Sequence, residues 1–284
     1  EIPLRLVGSE MCIRDSCKAL GFYAPNTRFK PTSSYLIQKQ NKLLVLDAGV
    51  GIKSKFIEYV VCNNILPENI TIVISHNHID HVAGLFSIGD FMIENFPNRK
   101  IKVYMSDTSE KFYDWYGKVL NKYSSVFEVS VLDENSKFYF CDMFVEFCKT
   151  NHCEDKIKSY ATKISSNYSS FVYTSDIASV DNKLRKFISN ADVVMVDGGN
   201  PVKRIKTLSG YHGITKENVY NILECSVRNV CLTHIKGCFS TQDYIDSLYS
   251  DTKEFVSVAQ SEVEFDIFTG EENKKYAHIL TSLA

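Results

Sequence analysis

Residues 75–85 read SHNHIDHVAGL and place His76, His78, Asp80 and His81 within six positions. This stretch follows NITIVISHNH (69–78), in which Ile70, Ile72, Val73 and Ile74 form the apolar run of a covered strand after a turn at Pro67. Four ligand-type side chains this close cannot be a pair on one helix face of the H-E-x-x-H kind. They fit a turn leaving a strand, where successive side chains fan around one point. Imidazole with carboxylate suits zinc, and also manganese or iron. Burying four such groups without a cation would be costly.

Outward from this motif, other short apolar runs end in polar residues. KLLVLDAG (42–49) reaches Asp47, FVYTSD (171–176) ends at Asp176, DVVMVDGG (192–199) reaches Asp197, and NVCLTH (229–234) ends at His234. Helical patterns lie between them. In KENVYNILECSVR (216–228) the apolar positions 219, 222, 223 and 227 share one face, Thr215 is placed to cap the helix and Glu217 favours its first turn. Residues 107–122 form a second, aromatic-rich helical pattern. Strands alternating with helices argue an α/β class, and polar residues at strand C-termini are where such folds place their chemistry.

The 284 residues are 44% hydrophobic and 23% charged, as in a folded globular protein, with no internal repeat or linker. No run of 18 apolar residues predicts a membrane span. A formal net charge of −2 supplies no long-range attraction for nucleic acid. Nine cysteines, an odd number with no C-x-x-C pair, read as reduced thiols of a cytoplasmic protein. Leu6–Ser16, LVGSEMCIRDS, looks like a translated sequencing adapter. Residues 1–16 are therefore set aside, residues 17–284 are read as one domain, and a signal peptide is not excluded.

H-x-H-x-D-H after a strand, preceded by L-D-A-G, resembles the metallo-β-lactamase superfamily. The resemblance implies an αβ/βα four-layer sandwich and two divalent metal ions, zinc with manganese as the alternative. His76, His78 and His152 would hold one ion, Asp80, His81 and His234 the other, and Asp176 would bridge them. Asp47 would accept a hydrogen bond that orients a ligand histidine. In that family such ions, about 3.5–4 Å apart, activate a shared hydroxide and clamp the attacking and leaving oxygens.

His212, in SGYHGIT, lies 22 residues before His234. Its placement resembles that of the metal-free catalytic histidine of ribonuclease-Z-like phosphodiesterases, although Thr215 follows by three positions instead of two. The resemblance casts Asp80 and His212 as catalytic. It implies a hydrolase for a phosphodiester in a small nucleotide, including 3′,5′-cyclic nucleotides, and an expected homodimer. Only 24 positions separate His152 from Asp176, so no tRNA-gripping arm fits there and no stable nucleic-acid complex is expected. The alternatives are a ribonuclease-Z-type RNA endonuclease and a lactonase- or thioesterase-like metallohydrolase. Tyr113, Trp115 and Tyr116 are candidates for stacking on a base, against the simpler reading that they pack their helix. His278 is read as structural.

Overall fold

The computed structural model describes residues 16–23, 30–107, 115–152, 157–167, 169–198, 205–207, 210–212, 216–235, 246, 249–259 and 264–266. The first sheet is built from β1 (Ser16–Gly21), β2 (Ser34–Lys39), β3 (Lys42–Leu46), β4 (Ile70–Val73), β5 (Ile101–Met105) and β6 (Phe127–Val131). The second contains β7 (Lys137–Phe140), β8 (Met143–Lys149), β9 (Tyr160–Ser165), β10 (Ser170–Tyr173) and β11 (Val193–Asp197). A ribbon, β12 (Ile205–Thr207) with β13 (Gly210–His212), precedes β14 (Asn229–Thr233) and β15 (Val256–Val258), which complete the second sheet. β16 (Glu264–Asp266) returns to the first.

The strand orders are β16-β1-β2-β3-β4-β5-β6 and β15-β14-β11-β10-β9-β8-β7. Each sheet is mixed: β3 through β6 are parallel, as are β10, β11, β14 and β15. Helices cover the outer faces. They are α1 (Lys53–Cys62), α2 (Ile79–Val82), α3 (Gly84–Asn95) and α4 (Trp115–Tyr123) beside the first sheet, and α5 (Asn182–Ile188) and α6 (Lys216–Leu223) beside the second.

The twofold period of a strand builds three cores from these elements. Along β3, Leu44 and Leu46 point between the sheets and meet Val145, Ile164, Phe171 and Met195. Leu43 and Val45 point the other way, onto Phe56 and Val60 of α1 and Leu85, Ile88 and Met92 of α3. The second sheet buries Val172, Val194 and Val230 against Leu184, Ile188, Val219 and Ile222 of its own helices. Helix, sheet, sheet, helix is the four-layer order that the family resemblance implies. Full burial of one such aliphatic side chain contributes about 1.5–3 kcal/mol, so these three layers carry the fold.

Local endings follow residue chemistry. Asp181 Oδ1 accepts from the backbone N–H of Leu184 at 2.8 Å and caps α5. The pattern expected to stay helical through residue 228 stops at Leu223, because Ser226 takes a positive φ of 59° and turns the chain into β14. Of the pattern at 107–122, the described part forms α4 from Trp115 onward. Ser16, inside the adapter-like stretch, already pairs with Gln38 and Asp266. Among the described residues, no helix is long and apolar enough to cross a membrane.

Candidate metal centre

The parallel strands point their C-termini at one rim, and the expected ligands lie just beyond them. Asp47 follows β3, His76 follows β4, His152 follows β8, Asp176 follows β10, and His234 follows β14. All are buried, as are Asp80, His81 and His78 on or before α2. Three of the strand ends turn through positive φ on non-glycine residues: Asp47 at 62°, Ser175 at 56° and His234 at 51°. Such conformations are uncommon for L residues and gather where a site dictates the backbone.

The turn carrying Asp80 and His81 is zipped to the one carrying Asp47. The Ala48 N–H donates to His81 O at 2.7 Å, and the Gly84 N–H donates to Ala48 O at 2.7 Å. Gly84 is required here, since a Cβ would lie 2.5 Å from Gly49 O and 2.8 Å from Ala48 O. Thr32 clamps the same junction: its hydroxyl donates to Asp80 O and accepts from the Val50 N–H, both at 2.7 Å.

The donor atoms form two clusters. His76 Nε2 and His152 Nε2 lie 2.8 and 3.1 Å from His78 Nδ1, and both lie 3.9 Å from Asp176 Oδ2. On the other side, His234 Nε2 is 3.0 Å from Asp80 Oδ2, and His81 Nε2 is 3.5 Å from the same oxygen. Asp176 Oδ1 is 3.3 Å from His81 Nε2 and 3.5 Å from His234 Nδ1. One carboxylate thus turns one oxygen toward each cluster. The groups His76–His78–His152–Asp176 and Asp80–His81–His234 each bring their donor atoms within 4.8 Å of one another.

The residues fit metal ions by two tests. The donor set is imidazole and carboxylate, the chemistry zinc and similar ions take. His81 Nε2 is a buried polar atom without a hydrogen bond, while its other nitrogen is engaged: Nδ1 lies 2.7 Å from Asp47 Oδ2. A histidine that donates its Nδ1 proton to a carboxylate presents a lone pair at Nε2.

The electrostatics agree. Burial, then the imidazoles of His81, His78 and His152, push His76 well below the usual histidine range, which keeps it a neutral donor. Burial opposes charge on His81, yet the carboxylates of Asp176, Asp47 and Asp80 outweigh it and raise His81 well above that range. His234 is raised by the same balance, with Asp176, Asp197 and Asp80 overcoming burial. Burial likewise disfavours an ionised Asp80, but His81 and His234 hold it down at about 2. The pocket demands positive charge, as protons or as cations.

The sequence reading missed several residues that shape this centre. Asp197, buried at the end of β11, lies 3.4 Å from His234 Nδ1; its signal was the carboxylate ending an apolar run. Asn151 staples the loop of His152 to that of Asp176, its Oδ1 accepting from the N–H groups of Ala178 and Ser179 at 3.1 Å. Ser75, Tyr173 and Ser175 flank recognised motif residues. Tyr35, whose hydroxyl contacts Thr233 Oγ1, carried no signal of its own.

Other candidates fall elsewhere. His212 ends β13, paired with Ile205, and its side chain is outside the described set. Trp115 packs edge-on to Phe86 at 5.4 Å, and with Tyr116 joins the core under the first sheet's helices. Tyr113 and His278 lie outside the described residues. The interval between His152 and Asp176 holds the β9–β10 hairpin.

The family described as "Anti-Pycsar protein Apyc1" matches residues 23–202, well over half of the chain. Exodeoxyribonuclease WalJ of Streptococcus pneumoniae, from strains D39 and R6, is 23% identical over 177 residues. The match covers 62% of this chain, which spans 61% of the length of those curated relatives. Among solved structures, the metallo-beta-lactamase fold protein YhfI from Bacillus subtilis aligns with a TM-score of 0.72 and 21% identity over 88% of this chain and 98% of its own. The short form of human tRNase Z aligns at 0.64 with 15% identity, covering 89% and 99%. Unliganded yeast PDE1 aligns at 0.66 with 13% identity, covering 88% and 98%. These likenesses establish the metallo-β-lactamase fold.

Proposed function

Because the chain belongs to the anti-Pycsar protein Apyc1 family, whose members degrade cyclic nucleotides, we propose that it is a metal-dependent phosphodiesterase acting on a small cyclic nucleotide. The observation that carries this reading is Asp176, which faces one imidazole cluster with each of its oxygens. His76, His78 and His152 would hold one divalent ion and Asp80, His81 and His234 the other, with zinc the natural fit and manganese the alternative. When bound, such ions supply Lewis acidity and a water acidic enough to act as nucleophile near neutral pH.

The chain's own residues do the rest. Asp80, ionised down to about pH 2, keeps a negative oxygen in its cluster across the physiological range. Asp47 and Asp197 stand behind His81 and His234 and fix how those rings face the centre. His212 is assigned the role of stabilising charge on the phosphoryl group or protonating the leaving oxygen, a contribution of about 10²–10⁴-fold. The reaction consumes one water. Its oxygen joins phosphorus, one P–O ester bond breaks, and a proton goes to the released ribose oxygen. A net charge of −2 agrees better with a small substrate than with a long polyanion. A homodimer is proposed on family likeness alone, and a cytoplasmic location on the reading of the cysteines as reduced thiols.

Metal-replete protein assayed on cyclic nucleotides, bis-(p-nitrophenyl) phosphate, single-stranded DNA, a short RNA, a lactone and a β-lactam tests the assignment. Cyclic nucleotides are expected to be opened fastest. Preference for DNA, RNA or the lactone would contradict it.

A further inference from the structure

Asp47 accepts four hydrogen bonds at the base of the centre. The Ser75 N–H reaches Oδ1 at 2.7 Å, and Oδ2 receives the Ser75 hydroxyl at 2.9 Å, His81 Nδ1 at 2.7 Å and the Tyr173 hydroxyl at 2.6 Å. All four residues are buried. A carboxylate only accepts, so the single hydroxyl proton of Ser75 is committed to Asp47. The lone pairs of Ser75 Oγ are then left to accept. Two groups stand within reach: the Ser175 hydroxyl at 2.6 Å and His76 Nδ1 at 3.1 Å. Ser175 Oγ lies 3.4 Å from the same nitrogen. Ser75 cannot donate to His76 Nδ1, and the Ser175 hydroxyl lies nearer to Ser75 Oγ, at 2.6 Å, than to the ring, at 3.4 Å; this arrangement favours a proton on His76 Nδ1 and a lone pair on Nε2, which faces His78, His152 and Asp176.

We propose that Ser75 is a positioning residue whose hydroxyl passes the pull of Asp47 on to His76, so that one carboxylate fixes the Nδ1–H form of a ligand in each cluster. The inference rests on the two-ion reading above and concerns how the centre is held in register. The chain of contacts runs His81–Asp47–Ser75–His76 and joins the two clusters by a route separate from the Asp176 carboxylate. Loss of an outer partner of a ligating histidine lowers metal affinity about 10–100-fold.

The test uses the 284-residue chain labelled with ¹⁵N-histidine and loaded with zinc, together with chelator competition for each ion. Wild-type protein is expected to bind two ions, with the His76 proton on Nδ1 and protected from solvent exchange. Ser75→Ala should weaken one ion about 10–100-fold, expose that proton and spare the second ion; Ser75→Thr, which restores a hydroxyl, should recover both. A wild-type His76 protonated on Nε2 overturns the proposal whether or not the alanine variant folds. So does a Ser75→Ala protein with both affinities and the His76 resonance unchanged. Wild-type protein that takes up no zinc contradicts instead the two-ion reading beneath it.

Discussion

His81 Nε2 lies 3.3 Å from Asp176 Oδ1 while its opposite nitrogen lies 2.7 Å from Asp47 Oδ2. One ring is thus fixed from behind by a carboxylate of the first sheet and faces a carboxylate of the second. Replacing Asp47 with Asn removes the charge that orients the ring and leaves its shape. The expected outcome is metal affinity lower by about 10–100-fold, read by chelator competition, with far-ultraviolet circular dichroism unchanged. Unaltered affinity would show that Asp47 serves only the turn.

Asp176→Ala removes the carboxylate common to both clusters. Turnover on a cyclic nucleotide should fall to the level of the metal-stripped wild type, and the variant should retain fewer than two ions per chain after dialysis. Full metal content with full activity would contradict the bridging role.

His212→Ala should behave differently. Turnover is expected to drop about 10²–10⁴-fold while metal content stays at the wild-type value. A variant with the wild-type rate removes His212 from the reaction.

Gly84→Ala tests the junction that holds the two turns together. An added Cβ would press on Gly49 O and Ala48 O, and overpacking of this kind costs about 1–3 kcal/mol. A lowered denaturation midpoint is expected, with weaker metal binding alongside, because Asp80 and His81 ride on the displaced turn. A midpoint equal to that of the wild type would mean that the turns part without cost.

Metal-free protein should lose stability as pH rises. His81 and His234 are raised in the folded state, whereas the unfolded chain releases these protons near the reference value of about 6.5. Above that pH the folded state binds more protons, so stability falls until the folded values are passed. His76, lowered by burial first, is neutral in both states there and adds nothing. The melting temperature without metal should be higher at about pH 6.5 than at about pH 8.5, and added zinc should stabilise more at the higher pH. A metal-free melting temperature that rises across this interval would contradict the charge balance.

How far the sequence alone foretold these features depends on where each signal lies. β3, β4, β10, β11 and β14 are largely apolar runs covered on both faces, so each was readable as a strand, and all but β11 lead into a candidate site residue that the sequence singled out. β1, β2 and β5 carry lysine or glutamine among apolar positions, as in SCKALG and IKVYM, β6 carries Glu128 and Ser130, and their identity comes from pairing partners far along the chain. The candidate ligands sit in short local motifs and could be found one by one. Their supports could not: Tyr35 meets Thr233 across 198 positions and Tyr173 meets Asp47 across 126, contacts that exist only once the two sheets face each other. Asp197 stood at the end of a recognised strand, and only its distance to His234 gave it a role.

The most direct test of the central claim is native mass spectrometry of the zinc-loaded chain beside its Asp176→Ala variant. Two ions on the wild type, and fewer on the variant, are the predicted result. A wild type that carries one ion or none at saturating zinc would contradict the two-cluster centre on which the proposed activity depends.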